Sequence, residues 1–429
     1  DGPRSVRGSP TVFITVCGKA IASAKEDMWM TRFAGPVLAL PSALPGAVSG
    51  QGLPVFETVL DALEAHESDG AFAIIYPHTI ASMAARFLND FPGRTTFAVK
   101  ANPHPAVIST LWTAGVRSFD VASIAEIDLV RSLCPNADLY LMHPVKSRRT
   151  IRHAYAAGVR DFAFDCAAEL RKIIAETDSA KDLSLHLRVA LPESAAEMPL
   201  TGKFGASFNE AVDLLMAARR FAFRLGIAFH VGSQCHHPSS FSDALTYVRR
   251  IIDAADVELD SLDCGGGFPV DYPGMTPPDL GLFFSEISSG LATNDFDQLD
   301  VLCEPGRALC AAGGSTMARV ELRKDQTLYI NDGTYGTLFD AGGARWRFPV
   351  TCHRPDDGAP SSQLMPFKLY GPTCDSLDKM DGPFPLPVDI REGDWIEFGH
   401  LGAYGQAMQT GFNGFDVRDT VAVLSSSFA

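Results

Sequence analysis

From about residue 70 onward the chain alternates two kinds of hydrophobic pattern. Short β-rich apolar runs are followed by longer stretches whose apolar residues recur at helical spacing. The first kind reads as strands and the second as amphipathic helices, and their alternation predicts parallel βα units. After a leading strand at Ala71–Tyr76 and a helix at Thr79–Asn89, eight strands are expected. They are Thr96–Lys100, Ser118–Ala122, Leu139–Met142, Asp161–Asp165, Ser184–Val189, Ala228–Val231, Ser261–Cys264 and Val301–Glu304. Helical stretches between them include Ala106–Ala114, Ile124–Ser132, Arg149–Ala157, Ala167–Thr177, Asn209–Phe221 and Phe241–Ala255. Eight repeats predict an α/β fold built on a (β/α)8 barrel of the TIM type over residues 71–312. An open doubly wound sheet is the second choice, because the repeat count is eight and no terminal GxGxxG fingerprint is present.

Beyond residue 312 the helical period fades, Gly and Pro rise, and short alternating runs appear at Thr327–Ile330, Phe367–Tyr370, Asp394–Phe398 and Val421–Leu424. This predicts a C-terminal antiparallel β domain over 313–429, sandwich- or barrel-like. The strand-like Pro36–Leu40 is expected to join it, so that residues 31–70 supply its N-terminal part and a linker. Residues 1–30 read as a leader outside both domains.

Composition narrows the picture slightly. Of 429 residues, 46% are hydrophobic and 20% charged, and 36 basic against 51 acidic residues leave a net charge of −15. That balance disfavours nucleic acid and anionic membrane surfaces, and it suits a small cationic substrate. The nine cysteines include no CxxC pair and no metal-ligand spacing. Reduced, buried thiols in a cytoplasmic protein are expected, with no metal and no membrane span.

Function in such a barrel collects at the carboxyl ends of the strands. Those ends carry Lys100, Asp120, Arg188, His230, Gly265-Gly266-Gly267 and Glu304-Pro305-Gly306-Arg307. A lysine delivered by a buried strand is expected to have its pKa depressed by desolvation, making the amine nucleophilic toward an aldehyde. A run of glycines lets backbone N–H groups approach a phosphate. A carboxylate such as Glu304 can keep a pyridine nitrogen protonated. His230 offers a flat ring for stacking and Ser233 a hydroxyl for a phosphate.

Taken in order, these motifs resemble the pyridoxal-phosphate-dependent ornithine/diaminopimelate/lysine decarboxylase family, which has an alanine-racemase-type barrel, and within it the ornithine decarboxylases. The resemblance spans roughly residues 70–420. It rests on Ala98-Val99-Lys100-Ala101-Asn102, Phe119-Asp120-Val121-Ala122-Ser123, His230-Val231-Gly232-Ser233, Gly265-Gly266-Gly267-Phe268-Pro269 and Glu304-Pro305-Gly306-Arg307. In the β domain it rests on Asn331-Asp332-Gly333-Thr334-Tyr335-Gly336, Gly371-Pro372-Thr373-Cys374-Asp375, Gly402-Ala403-Tyr404 and Phe412-Asn413-Gly414-Phe415. It implies that Lys100 holds the aldehyde of pyridoxal 5'-phosphate, Glu304 pairs with the ring nitrogen and His230 stacks on the ring. Ser233, Gly265, Gly266, Gly267, Gly306, Arg307 and Tyr404 would grip the phosphate, and Asp120 and Arg188 would line the pocket. It further implies a homodimer with shared active sites, the Cys-Asp pair coming from the other subunit. Cys374 would return a proton to the α-carbon, and Asp375, with Tyr335 and Asp340, would contact the substrate.

The residue after the thiol bears on substrate choice. Aspartate at 375 suits a short diamino acid, whereas diaminopimelate decarboxylases carry glutamate there. The resemblance therefore implies decarboxylation of L-ornithine to putrescine, a step of polyamine biosynthesis, with lysine next. One departure stands out. Eukaryotic ornithine decarboxylases have a Tyr-Asp-His stretch after the NDG-Y-G motif, where this chain reads Thr337-Leu338-Phe339-Asp340-Ala341-Gly342-Gly343-Ala344-Arg345. Either Asp340 is the second carboxylate, or that carboxylate is missing and Asp340 is an ordinary loop residue. Alanine racemases share the barrel and lysine but require an arginine in place of Glu304. A non-catalytic regulatory relative and an unrelated phosphate-binding barrel are the remaining alternatives.

Overall fold

The computed structural model describes residues 52–428 apart from 193–195, 201 and 356–357. The expected leader and the strand at Pro36–Leu40 lie outside the described residues. Eight parallel strands close a barrel: Arg94–Ala98, Ser118–Asp120, Asp138–Leu141, Asp161–Phe164, Ser184–Arg188, Arg224–Ala228, Ser261–Asp263 and Asp300–Cys303, the last pairing with the first. Phe97, Phe119, Phe162, Leu185, Ile227 and Leu262 on these strands are fully buried. Helices cover the outside, as parallel strands buried on both faces require. The helix Ser239–Ala255 shows how: it buries Phe241, Ala244, Leu245, Val248, Ile251, Ile252 and Ala255, one stripe at helical spacing.

Two sequence expectations shift. The strand expected at Ala228–Val231 runs instead over Arg224–Ala228, so His230 lies in the turn beyond it. Arg224 and Gly226 interrupt the apolar run and masked the strand. Gly226 is needed there, because a Cβ would fall 2.4 Å from Ser261 Oγ and 2.6 Å from His186 Nδ1. The leading strand, Phe72–Ile75, belongs to the β domain, where it lies between Asp419–Val423 and Gly314–Lys324. The first element of the barrel is thus the helix Pro77–Asp90.

The β domain is a nine-stranded sheet. Most of its pairings are antiparallel, but Val55–Phe56 with Asp419–Val423, Asp419–Val423 with Phe72–Ile75, and Thr327–Ile330 with Leu364–Tyr370 are parallel. Four of its strands, Val55–Phe56, Gly314–Lys324, Val350–His353 and Lys379–Pro387, are not anticipated from the sequence. The two domains meet at the mouth of the barrel. Tyr404 N–H donates to the Ala101 carbonyl at 2.8 Å, and Asn102 Nδ2 donates to the Gly402 carbonyl at 2.8 Å. Among the described residues no helix is long and apolar enough to cross a membrane.

Candidate active site

The first barrel strand ends at Ala98, and Lys100 follows on a 3-10 turn, Val99–Ala101. Its Nζ lies 3.8 Å from Asp120 Oδ2. Asp120 ends the second strand because the chain must turn at once into the helix Ile124–Leu133, which Ser123 caps by accepting from Glu126 N–H at 3.2 Å. The other Asp120 oxygen accepts from Met142 N–H at 3.2 Å. Burial pulls the Lys100 pKa down, but Asp120, Tyr404 and Glu304 outweigh it and leave the amine above the ordinary lysine value. With 54% of the side chain open to the mouth, the nearby charges prevail over desolvation. The depression expected at Lys100 is therefore reversed. It occurs instead at Lys146, whose side chain is fully buried. Burial pushes that amine down to about 8 against the opposing pull of Glu169, 3.0 Å away.

Glu304 leaves the last barrel strand with 8% of its surface exposed. Its N–H donates to the Gly265 carbonyl at 2.7 Å, tying two strand ends together. Burial first, then the like charges of Asp263 and Asp120, hold its carboxyl well above the usual range. The Arg188 guanidinium stands among Glu304, Asp263, Asp120 and Asp165, and its burial lowers its pKa. The His230 Nδ1 accepts from Gly232 N–H at 3.0 Å, which assigns the proton of the neutral ring to Nε2. Burial, Arg188 and Lys100 keep that ring neutral. The glycine turn packs against both groups: a Cβ at Gly266 would lie 2.7 Å from the Glu304 carbonyl oxygen and 3.2 Å from His230 Nε2. Gly267, at φ +106°, would meet the Gly232 carbonyl oxygen at 2.2 Å. The turn is anchored by Phe268, whose ring stacks on Phe241 at 5.1 Å. Ser233 opens the strand Ser233–Cys235 beside it.

Gly306 precedes Arg307 and approaches Ala101 so closely that a Cβ would sit 2.9 Å from the Ala101 Cβ. Arg307 is 8% exposed. It donates through Nη1 to Tyr272 Oη at 3.2 Å and to Asp340 Oδ2 at 3.3 Å. The rings of Trp346 and Tyr404 lie 4.4 and 4.6 Å from the guanidinium carbon. Asp340, expected as a substrate contact, is thus turned onto Arg307, where it neutralises a buried cation. Arg307 Nε and Glu304 Oε1 are buried with no hydrogen-bond partner among the described residues. An acid for a ring nitrogen, a spare guanidinium N–H and a glycine cradle for a phosphate, and an amine for an aldehyde together fit pyridoxal phosphate.

Cys374 and Asp375 lie apart from this set, on the β domain. The Cys374 thiol is exposed, and its N–H donates to Asn413 Oδ1 at 3.2 Å. Tyr335 Oη donates to Asp375 Oδ2 at 2.7 Å, and this bond holds the Asp375 carboxyl below the usual range. Among the described residues no hydrogen bond or ion pair links Cys374 or Asp375 to Lys100. Asp332, two residues after Ile330, is buried and accepts from Gly333 N–H, Thr337 N–H and Thr337 Oγ1. Burial pushes its pKa up to about 6 from 3.8. A raised folded-state pKa means that the folded chain binds the proton more tightly than the unfolded one, so stability falls as pH rises from about 4 to about 6. The fall is expected to reach at most ~3 kcal/mol. In urea titrations across this range, Asp332→Asn is expected to lose that fraction of the slope; an unchanged slope would assign it to other acids.

Two residues at the site escaped the sequence reading. Asp263, 1% exposed, lies two residues before the glycine turn and accepts from Gly265 N–H at 2.7 Å through Oδ1. His143 follows the third barrel strand and packs edge-on against Phe204, with ring centroids 5.3 Å apart. Burial, Lys146 and Lys100 lower its pKa. The strand-end rule that found Lys100 points equally to His143.

Comparison with known proteins converges on this arrangement. Residues 78–311 match the pyridoxal-binding domain of the pyridoxal-dependent decarboxylases, and residues 309–402 match their C-terminal sheet domain. The chain is 34% identical over 336 residues to the lysine/ornithine decarboxylase of Selenomonas ruminantium, covering 76% of this chain and 82% of that one. It is 31% identical over 382 residues to the ornithine decarboxylase of Panagrellus redivivus, covering 82% and 85%. The structure of lysine/ornithine decarboxylase from Vibrio vulnificus complexed with putrescine aligns with a TM-score of 0.73 at 29% identity, covering 86% of this chain and 99% of that one. In sequence, in both domains and in fold, this chain belongs to the family of pyridoxal-dependent decarboxylases.

Proposed function

We propose that the enzyme decarboxylates a short diamino acid, L-ornithine first and L-lysine next, at active sites shared between two copies of the chain. The observation that carries the substrate reading is the Asp375 carboxylate, kept ionised by Tyr335 Oη beside an exposed thiol. An anion in that position suits a distal ammonium. The names of the relatives, which cover ornithine and lysine decarboxylation, support the same class. Bound pyridoxal phosphate supplies the electron sink that receives the bonding pair as carbon dioxide leaves.

The remaining work falls to side chains. Lys100 Nζ would hold the cofactor aldehyde. Glu304 holds the proton on the ring nitrogen, while Asp263 and Asp120 add like charge around it. His230, kept neutral, would stack on the ring, and Arg307 Nε, Ser233 and the Gly265–Gly267 turn would hold the phosphate. Cys374 Sγ gives its proton to the substrate α-carbon after decarboxylation. A second copy is proposed to bring Cys374 and Asp375 to the barrel mouth. Asp340, occupied with Arg307, leaves Asp375 as the principal partner of the distal ammonium.

Carbon dioxide release from L-ornithine, L-lysine, L-arginine and meso-diaminopimelate, measured side by side on the cofactor-loaded enzyme, tests this reading. Ornithine is expected to exceed lysine by roughly 10- to 200-fold in kcat/KM, the discrimination one methylene permits. Preference for diaminopimelate or arginine, or release from none of the four, would sink it.

A further inference from the structure

We infer that Asp378 is a positioning residue that sets the geometry of the Cys374-Asp375 pair; this rests on the proposed roles of that pair. Asp378 is 1% exposed. One carboxylate oxygen accepts from Thr334 N–H at 2.8 Å and from Thr334 Oγ1 at 3.1 Å. The other accepts from Thr373 N–H at 3.0 Å and from Thr373 Oγ1 at 2.7 Å. Thr334 directly precedes Tyr335, and Thr373 directly precedes Cys374. A single buried carboxylate therefore joins the Thr334–Tyr335 loop to the loop that carries Cys374 and Asp375, and the same two loops meet through the Tyr335–Asp375 hydrogen bond.

The backbone closes the same turn, with Asp378 N–H donating to the Asp375 carbonyl at 3.1 Å and Gly371 N–H to the Asp378 carbonyl at 3.0 Å. Two motif glycines with no chemical role of their own find their reason here. A Cβ on Gly333 or Gly371 would lie 2.2 Å from Asp378 Oδ1. The clamp needs a carboxylate, because all four contacts are donors and an amide nitrogen cannot accept.

The test uses the cofactor-loaded full chain and three variants. Asp378→Asn is expected to raise KM for ornithine and lower kcat, each by about tenfold. It should also raise the rate of Cys374 alkylation by iodoacetamide about threefold or more, read on the Cys374 peptide by mass spectrometry. Thr373→Val, isosteric but without the donor, is expected to move both readouts the same way and less far. Thr373→Ser, which keeps the hydroxyl, is expected to restore them. Cofactor affinity should not change, because Asp378 bonds Thr334 and Thr373 and none of the residues proposed to hold the cofactor. Parent-like alkylation and kinetics in Asp378→Asn would overturn the inference, as would Thr373→Ser behaving like Thr373→Val. Should Cys374→Ala and Asp375→Ala leave decarboxylation intact, the proposed roles of the pair fail, while the alkylation rates still judge the clamp.

Discussion

Lys100→Ala is expected to lower kcat/KM by on the order of 10⁴-fold, and borohydride reduction is expected to leave no cofactor mass on the variant. The expectation follows from where the amine sits. The strand Arg94–Ala98 and the turn Val99–Ala101 deliver it to the barrel mouth, 3.8 Å from Asp120 and half exposed. Its raised pKa has a consequence for activity. At neutral pH the free amine is protonated and must give up that proton before it can attack an aldehyde, so the rate of cofactor loading should climb with pH. Lys100→Arg separates the two properties of the side chain. Arginine keeps the cation beside Asp120 but does not deprotonate, so the variant is expected to fold normally and remain inactive. The rival amine is Lys146, whose pKa of about 8 would suit a nucleophile. It is fully buried, however, and bound to Glu169 and to the carbonyls of His143 and Ala163. Cofactor mass retained on Lys100→Ala and lost on Lys146→Ala would move the assignment there.

Glu304→Gln should lower kcat by roughly 10²- to 10³-fold with a smaller change in KM, and the melting temperature of the cofactor-free protein should rise. The two effects have one cause. Lys100 and Arg188 attract Glu304, but burial and the like charges of Asp263 and Asp120 outweigh them, and Oε1 lacks any hydrogen bond among the described residues. Glutamine removes a like charge from that group and relieves repulsion, which stabilises the empty pocket. The same change removes the group proposed to hold the proton on the ring nitrogen, so the ring becomes a poorer sink. An acid kept where it costs stability is the pattern expected of a functional residue. Unchanged kcat in Glu304→Gln would detach this carboxylate from the chemistry; a lowered melting temperature would instead make it structural.

The order of short apolar runs and amphipathic stretches determined the barrel, because each strand buried on both faces must be nearly all apolar and each covering helix only half so. Strand ends were legible for the same reason: Lys100, Asp120 and Glu304 are polar residues placed directly after buried ones. Where a strand tolerates a glycine or a charged end, as at Arg224 and Gly226, the pattern blurred, since the cause is contact with Ser261 and His186 from neighbouring strands. The sheet was legible only in fragments. Its longest strand, Gly314–Lys324, lies between partners as remote in sequence as Phe72–Ile75 and Trp395–Phe398. Charge balance was beyond the sequence altogether. That Asp340 neutralises Arg307, that three acids hold up the pKa of Lys100 or one another, and that Asp378 joins two loops all depend on distances across the chain. Local sequence sets which groups are present and which face of an element they occupy. Electrostatic shifts and hydrogen-bond networks fall off over a few ångströms, so only the folded arrangement decides which of those groups act on each other.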